Sequence, residues 1–320
     1  MKALFVTSTR IGDAVLSTGV LAHLLRARPG IRMTIACGPA SAPLFEAVPG
    51  LDRLIVVTKR PFALHWLALW AQCATTLWDT VVDLRGSALA YFLVARERRV
   101  LQPGKDATHQ VLRLGRAFGM AEPPEPVMWT AARHDEAAAT LIPGGAPVLA
   151  LGPTANWMPK MWPAANFVAL AERLTGRGGI LPAARIAVFG GPDERALAQP
   201  VIDALPADRR IDLVGRVDLL TAAACLKRSA LFVGNDSGLM HIAAAAGTPT
   251  LGLFGPSPHT LYAPWGARAA VARTSIPYET LVGAPDFDHR ATRCLMESLT
   301  VDAAEQAARA LMRRVAVAAQ

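Results

Sequence analysis

Four stretches of this chain place charged or hydroxyl side chains where a strand turns into a helix. The first, Thr7-Ser8-Thr9-Arg10-Ile11-Gly12-Asp13, follows a short apolar run, Ala3 to Val6. In a parallel α/β sheet such a loop lies at the carboxyl edge, where ligands bind. It is neither G-x-G-x-x-G nor a P-loop, and Ala36-Cys37-Gly38 rather than an acid follow the second strand. Those features count against a dinucleotide or ATP-hydrolysing site. What remains is a carboxylate, Asp13, beside Arg10 and Gly12. Asp13 also fits a purely structural role, as an acid favoured by the helix dipole in a first turn.

The second stretch is Thr154-Ala155-Asn156-Trp157-Met158-Pro159-Lys160-Met161-Trp162-Pro163, with Pro163 opening a helix. Lys160 is the only Lys or Arg between Arg133 and Arg173, so it belongs to no solvated charge run. It suits phosphate charge, or simply an exposed loop. In Phe189-Gly190-Gly191-Pro192-Asp193-Glu194, Glu194 offers a carboxylate to a ribose or adenine, or a first-turn acid to its own helix. The fourth stretch, Leu231 to Pro258, reads as strand, turn, helix and strand. Its Gly234-Asn235-Asp236-Ser237-Gly238 turn combines helix N-cap residues with two glycines. Backbone N–H groups at the positive end of a helix suit a phosphate, although the turn alone is also an ordinary α/β connection.

Other constellations are weaker. Asp286-Phe287-Asp288-His289 has the D-x-D spacing that could bind a divalent cation, but it sits in a proline-bounded loop with no strand before it, and it reads as solvated. His23, His65, His109, His134 and His259 lack ligand spacing. No metal site and no cofactor are expected. No G-x-S-x-G elbow is present, which counts against a serine hydrolase.

These loops need a scaffold, and the apolar periodicity supplies one. In the first half, strands at Ala3–Val6, Arg32–Cys37, Leu54–Val57, Thr80–Leu84 and Arg99–Leu101 alternate with helices at Asp13–Arg26, Ser41–Ala47, Pro61–Leu77 and Thr108–Phe118. Prolines and Gly-Gly in residues 121–147 break the rhythm and mark a domain boundary. The pattern restarts with strands at Val148–Leu151, Arg185–Phe189, Ile211–Val214, Ala230–Val233 and Thr250–Phe254. Helices at Pro163–Leu174, Glu194–Leu205, Leu219–Lys227 and Leu239–Ala246 separate them, and Val301–Val317 forms a last helix. Such alternation predicts an α/β protein of two doubly wound parallel sheets facing a cleft.

At 320 residues the chain can bury two cores, and 52% hydrophobic with 18% charged residues is a globular composition. Its net charge is +8, with pI near 9.8, and the first half is itself basic. That favours an anionic partner. No DNA-reading helix or stacking platform is evident, so nucleic acid is not expected. The four cysteines are scattered without a C-x-x-C pair, which fits a reducing compartment. Met1 to Ser17 lacks the long apolar region of a signal peptide, so a cytoplasmic location is expected. Pro61 to Trp78 carries three of the seven tryptophans directly after Lys59-Arg60. Such a segment either lies in a membrane interface or covers the sheet.

In order, R-I-G-D near the N-terminus, K-x-W-P after the boundary, G-G-P-D-E, and N-D-S-G-L-M-H-I-A-A-A-A-G-T-P together resemble glycosyltransferase family 9, the bacterial heptosyltransferases. The last block is the most specific: Asp236, Ser237, Gly238, His241, Ala244, Ala245, Gly247 and Pro249 all fit the family's D-[ST]-G-x-x-H-x-x-A-A-x-G-x-P. Arg293-Cys294-Leu295-Met296 also looks like the family's C-terminal end. The departures concentrate in Pro61 to Met120.

The resemblance implies a GT-B fold: an acceptor-binding domain over 1–146, a sugar-nucleotide-binding domain over 147–300, and a C-terminal helix, 301–320, returning to the first domain. It implies an inverting, metal-independent transfer of heptose from ADP-heptose to a sugar hydroxyl of a lipopolysaccharide core or related acceptor. The family's base falls on Asp13 and its phosphate-binding lysine on Lys160. The diphosphate loop falls on Asp236, Ser237 and Gly238, with His241 one turn on, while Thr154 and Glu194 complete the donor side. Arg10, Gly12 and Arg85 are the expected acceptor contacts. The expected partners are an ADP-sugar and an anionic lipid-linked or core saccharide, with the monomer at the inner face of the cytoplasmic membrane. A sugar-nucleotide epimerase of the same fold, or a non-catalytic sugar-nucleotide-binding protein, are the alternatives.

Overall fold

The computed structural model describes residues 1–318 apart from 103, 105, 106, 284–286, 289 and 291. The chain divides into two compact units, Met1–Ala131 and Ala132–Gln320. The division falls one helix before the expected boundary at 146/147. The reason is α4 (Ala132–Leu141), which lies within the stretch read as a linker and packs against a later helix, α7 (Leu219–Lys227).

The first unit contains β1 (Lys2–Val6), α1 (Ile11–Ala27), β2 (Arg32–Cys37), β3 (Leu51–Val56), α2 (Leu64–Cys73), β4 (Trp78–Asp83), β5 (Ala95–Val100) and α3 (Gln110–Ala117). The strands form one parallel sheet in the order β3-β2-β1-β4-β5. Ala3, Leu4 and Phe5 on the central strand are fully buried, as a strand covered on both faces requires. A side chain at Gly19 of α1 would place a Cβ 2.2 Å from the Pro124 carbonyl oxygen, so glycine lets the 123–125 segment lie on the helix. Val127 N donates to Thr18 Oγ1 at 2.8 Å and fixes that segment.

Two expected elements change length here. The helix expected from Pro61 to Leu77 is confined to α2. Phe62 and Ala63 adopt φ of 51° and 57°, in the left-handed region, and detach the Pro61–Ala63 turn from the helix. At the other end Trp78 is a buried first residue of β4. The strand read at Arg99–Leu101 begins earlier, at Ala95. Its sequence ARERRV hides the strand because an edge position tolerates charged side chains.

The second unit continues from α4 with β6 (Val148–Gly152), α5 (Ala164–Thr175), β7 (Arg185–Val188), α6 (Arg195–Ala204) and β8 (Arg210–Asp212). After α7 come β9 (Leu231–Asn235), α8 (Gly238–Ala245), β10 (Thr250–Phe254), α9 (His259–Tyr262), β11 (Ala269–Arg273), α10 (Tyr278–Val282) and α11 (Val301–Ala318). The sheet is parallel in the order β11-β10-β9-β6-β7-β8. Strand β11, absent from the sequence reading, is a five-residue Ala-rich edge that pairs with β10 along its length. Helix α11 packs on α5, β10 and β11 of the second unit. Its Ala304, Ala308 and Leu311, at i, i+4 and i+7, enter that core. Among the described residues no helix is long and apolar enough to cross a membrane.

Candidate functional site

Strand order fixes where each unit can hold a ligand. In the second sheet β6 leads outward through β7 to β8, whereas β9 leads the other way through β10 to β11. The crevice between the carboxyl ends of β6 and β9 is therefore the topological switch point, the usual ligand position in an open α/β sheet. Lys160 stands in the loop after β6 and Asp236 in the loop after β9. Lys160 Nζ donates to Asp236 Oδ2 at 2.5 Å, with side chains 21% and 8% exposed.

The backbone behind this pair is tightly held. Asn235, fully buried at the end of β9, accepts from Trp162 N at 3.0 Å and donates to the Pro153 carbonyl at 2.8 Å. It thus ties both ends of the Lys160 loop to β9. Trp162 is buried, and its indole N–H donates to the Leu299 carbonyl at 2.8 Å. Leu295 N and Cys294 Sγ contact the Pro159 and Met161 carbonyls, so the segment before α11 braces the same loop. Asn235 and Trp162 were present in the quoted motifs but not singled out. The signal was a polar side chain at the end of an otherwise apolar strand, and a tryptophan between two prolines.

Ser237 is the N-cap of α8 and Gly238 its first residue. The first N–H groups of a helix have no partner within it. The Ser237 hydroxyl oxygen is buried and has no hydrogen-bond partner among the described residues. A buried hydroxyl left so beside a helix start calls for a ligand atom or water. His241, one turn further on, is buried, as are Thr154 and Asp236. One strand over, Thr154 Oγ1 donates to Glu194 Oε2 at 2.9 Å, and Gly191 N donates to the same oxygen at 2.7 Å. The structure therefore gathers the predicted residues of this half along the ends of β6, β7 and β9.

In the first unit the switch point lies between β1 and β4. Asp13, half-buried, occupies the first turn of α1, and Arg10, exposed, the position before that helix. The loop between is pinned by Ser41 Oγ donating to the Ser8 carbonyl at 2.8 Å and by Arg10 N donating to Ser8 Oγ at 3.2 Å. Gly38 permits this fold, since a Cβ there would lie 2.6 Å from Thr9 Cα. Arg85 belongs to the loop after β4, with its guanidinium carbon 5.9 Å from the Trp66 ring centroid. Asp83 holds that loop, accepting from Arg85 N at 2.8 Å, Ser87 N at 2.9 Å and Ser87 Oγ at 2.5 Å. Burial raises the Asp83 carboxyl pKa and outweighs the lowering by those hydrogen bonds and by Arg85. Sequence reasoning did not single out Asp83, which fell inside the expected strand Thr80–Leu84. A cavity against this edge is lined by Thr7, Thr9, Gly38, Lys59, Trp66 and Arg85, among others.

Among the described residues there is no group of three or more His, Cys, Asp or Glu placed to hold a metal ion. Asp286 and His289, of the D-x-D stretch, lie outside the described residues.

Several known proteins resemble this chain. A family model for glycosyltransferase family 9 (heptosyltransferase) matches residues 79–284. A 138-residue segment is 32% identical to lipooligosaccharide heptosyltransferase 2 of Haemophilus influenzae, covering 42% of this chain and 38% of that protein. A 165-residue segment is 27% identical to lipopolysaccharide heptosyltransferase 2 of Salmonella typhimurium, covering 48% and 46%. The chain thus spans less than half the length of these two relatives. A longer match, 28% over 292 residues, covers 80% of this chain and 79% of lipopolysaccharide heptosyltransferase 1 of Pseudomonas aeruginosa. Among solved structures, ADP-heptose LPS heptosyltransferase II of E. coli superimposes with a TM-score of 0.75 at 19% identity, covering 99% and 100%. An E. coli heptosyltransferase solved with ADP gives 0.71 at 19%, covering 97% and 100%. The fold is of the expected GT-B class. With a family match over 79–284, more than half of its 320 residues, the chain belongs to glycosyltransferase family 9.

Proposed function

We propose that this protein transfers heptose from ADP-heptose, with inversion, to a sugar hydroxyl of a lipopolysaccharide core or related acceptor. The observation that carries the reading is the Lys160–Asp236 pair at the β6/β9 switch point, beside the unpartnered Ser237 hydroxyl at the start of α8. A nucleoside diphosphate needs such a place. Lys160 supplies cationic charge, and the N–H groups of Ser237 and Gly238 supply neutral donors. As the glycosidic bond to ADP breaks, negative charge grows on the diphosphate, and donors held in advance stabilise it. His241 stands behind this loop, and Thr154 and Glu194 face the nucleoside portion.

Asp13 accepts the proton of the attacking hydroxyl as oxygen bonds to the anomeric carbon. General-base help of this kind is typically worth about 10²–10⁴-fold. Arg10, Gly12 and Arg85 bind the acceptor, the two guanidiniums matching acidic groups on a lipid-linked or core saccharide. The enzyme works as a cytoplasmic monomer at the inner membrane face and needs no metal ion. The test is turnover of ADP-heptose on a core acceptor, with and without EDTA, for the wild type and Asp13→Ala. The expected result is full turnover in EDTA and a loss of at least a hundredfold in the variant. Full activity of Asp13→Ala removes it as the base, and loss with chelator removes the metal-free mechanism. An epimerised sugar nucleotide formed without acceptor would favour the epimerase, and no conversion at all a binding protein.

A further inference from the structure

Strand β9 is apolar through Leu231, Phe232 and Val233, yet its last residue, Asn235, is a fully buried amide. A buried amide is costly unless its donor and acceptor are both satisfied. The Asn235 backbone pairs with β10 opposite Leu253, whereas the pairing of β9 with β6 stops one residue earlier, at Gly152–Gly234. The side chain takes over where that ladder ends. Its Nδ2 donates to the Pro153 carbonyl at 2.8 Å, and its Oδ1 accepts from Trp162 N at 3.0 Å. A carbonyl can only accept and a backbone N–H can only donate, so this pair of contacts asks for an amide in one orientation. A carboxylate would lack the donor, and an apolar side chain both groups.

Gly152 ends β6 and Ala164 begins α5, so Pro153 and Trp162 stand at the two ends of the 154–161 loop. Inside the loop, Lys160 N donates to the Trp157 carbonyl at 3.0 Å, and Lys160 Nζ reaches Asp236, the residue after Asn235. Neighbouring residues of one chain thus divide a task. Asn235 fixes the loop backbone at both ends, and Asp236 meets the ammonium that the loop presents. The bonds of Leu295 N to the Pro159 carbonyl and of the Trp162 indole to the Leu299 carbonyl join the loop to the segment before α11. Asn235 joins it instead to the strand that carries Asp236 and Ser237. With no exposed surface and both ends of its amide engaged, Asn235 acts on a ligand only through what it holds.

We infer that Asn235 is a positioning residue for the donor diphosphate, setting where the Lys160 ammonium stands without touching the ligand itself. This rests on the reading of Lys160 as a phosphate-binding residue.

The experiment is calorimetric titration of ADP, pyrophosphate and adenosine into the full chain, as wild type, Asn235→Ala, Lys160→Met and the double variant. Thermal midpoints set a temperature at which each is folded, and Asn235→Ser replaces the alanine variant if that one does not fold. Asn235→Ala should lose at least about fivefold in affinity for ADP and pyrophosphate, the scale of a charge-assisted hydrogen bond set out of place. Its affinity for adenosine should change by less than about twofold, because adenosine makes no demand on Lys160. In the Lys160→Met background the further substitution should alter ADP affinity by less than about twofold, since residues that act through one another are not additive. A purely structural Asn235 would lower the thermal midpoint and leave the ratio of ADP to adenosine affinity unmoved. That result, an equal loss for adenosine, or losses that multiply in the double variant would overturn the positioning role. If Lys160→Met binds ADP as the wild type does, the phosphate reading itself fails; if it binds ADP weakly while Asn235→Ala does not, only the role of Asn235 falls.

Discussion

Lys160 Nζ and Asp236 Oδ2, 2.5 Å apart, pin the loop that leaves β6 to the loop that leaves β9. The pair has two functions that separate experimentally. It neutralises a carboxylate that is nearly out of solvent, and under the proposed function it also holds a cation for the diphosphate of the donor. Removing one member of a buried pair is costly because the other charge stays behind, about 3–5 kcal/mol for a fully buried pair. Lys160→Met should therefore lower both the thermal midpoint and the affinity for ADP, the latter by about tenfold or more, the scale of a lost charge-assisted hydrogen bond. Adding Asp236→Asn should restore much of the stability and none of the ADP binding. Calorimetric titration of ADP decides it: unchanged affinity in Lys160→Met ends its phosphate role.

Glu194 poses the same question on the nucleoside side. One of its oxygens accepts from both Thr154 Oγ1 and Gly191 N, bonds that a glutamine oxygen can also accept. Glu194→Gln should leave the melting temperature nearly unchanged and weaken ADP binding several-fold, since only the charged form draws ribose hydroxyls strongly. Pyrophosphate, which lacks the ribose, should bind both proteins equally. Equal ADP affinity in the two would leave Glu194 as an acid of the first helical turn.

A third expectation concerns pH. Burial tends to raise the Glu97 pKa, but hydrogen bonds from Arg99 and Arg28 prevail and lower it below the ordinary 4.5. A carboxylate whose pKa is depressed on folding contributes stability above its unfolded pKa and loses it as pH falls through the folded value. The contribution is modest, about 1 kcal/mol, because the site is partly open to solvent. Urea midpoints of wild type and Glu97→Gln should therefore differ at pH 7, and the gap should shrink as pH falls below the ordinary glutamate value of 4.5. A gap that persists undiminished at low pH would mean the side chain acts through packing instead.

What could be read in advance follows the physics of burial. The central strands and their crossover helices declare themselves because both sheet faces are covered, which leaves near-continuous apolar runs such as Leu231–Val233 and Leu149–Leu151. Edges do not. The charged β5 and the Ala-rich β11 carry no such run, and α4 lies inside a stretch whose prolines and glycines looked like a linker. The loops were legible as types: an acid beside Arg10, a lone lysine, an N-D-S-G turn. What joins them was not, because Asn235 binding Trp162 N and the Pro153 carbonyl is a contact across many residues of sequence. Asp83 was hidden for the same reason, as its role comes from burial under Arg85 and Ser87.

The segment after Lys59-Arg60 divides its apolar residues between two uses. Leu69 and Cys73 enter the core of the first unit, whereas Phe62 is 96% exposed and Leu64 and Leu67 also face solvent. Trp70 Nε1 donates to the Phe92 carbonyl at 2.9 Å and ties this surface to a second exposed stretch, Tyr91, Phe92 and Val94. Apolar side chains presented together beside basic residues suit an anionic bilayer surface. Burying one phenylalanine is worth up to about 1.5–3 kcal/mol. Phe62→Ser with Phe92→Ser should therefore reduce co-sedimentation with phosphatidylglycerol-containing vesicles by tenfold or more. Both residues are exposed, so the fold should be unaffected. Lys59→Gln with Arg60→Gln should weaken binding less and flatten its dependence on salt. Binding that is unchanged in the phenylalanine variant would leave α2 as a helix that only covers its sheet.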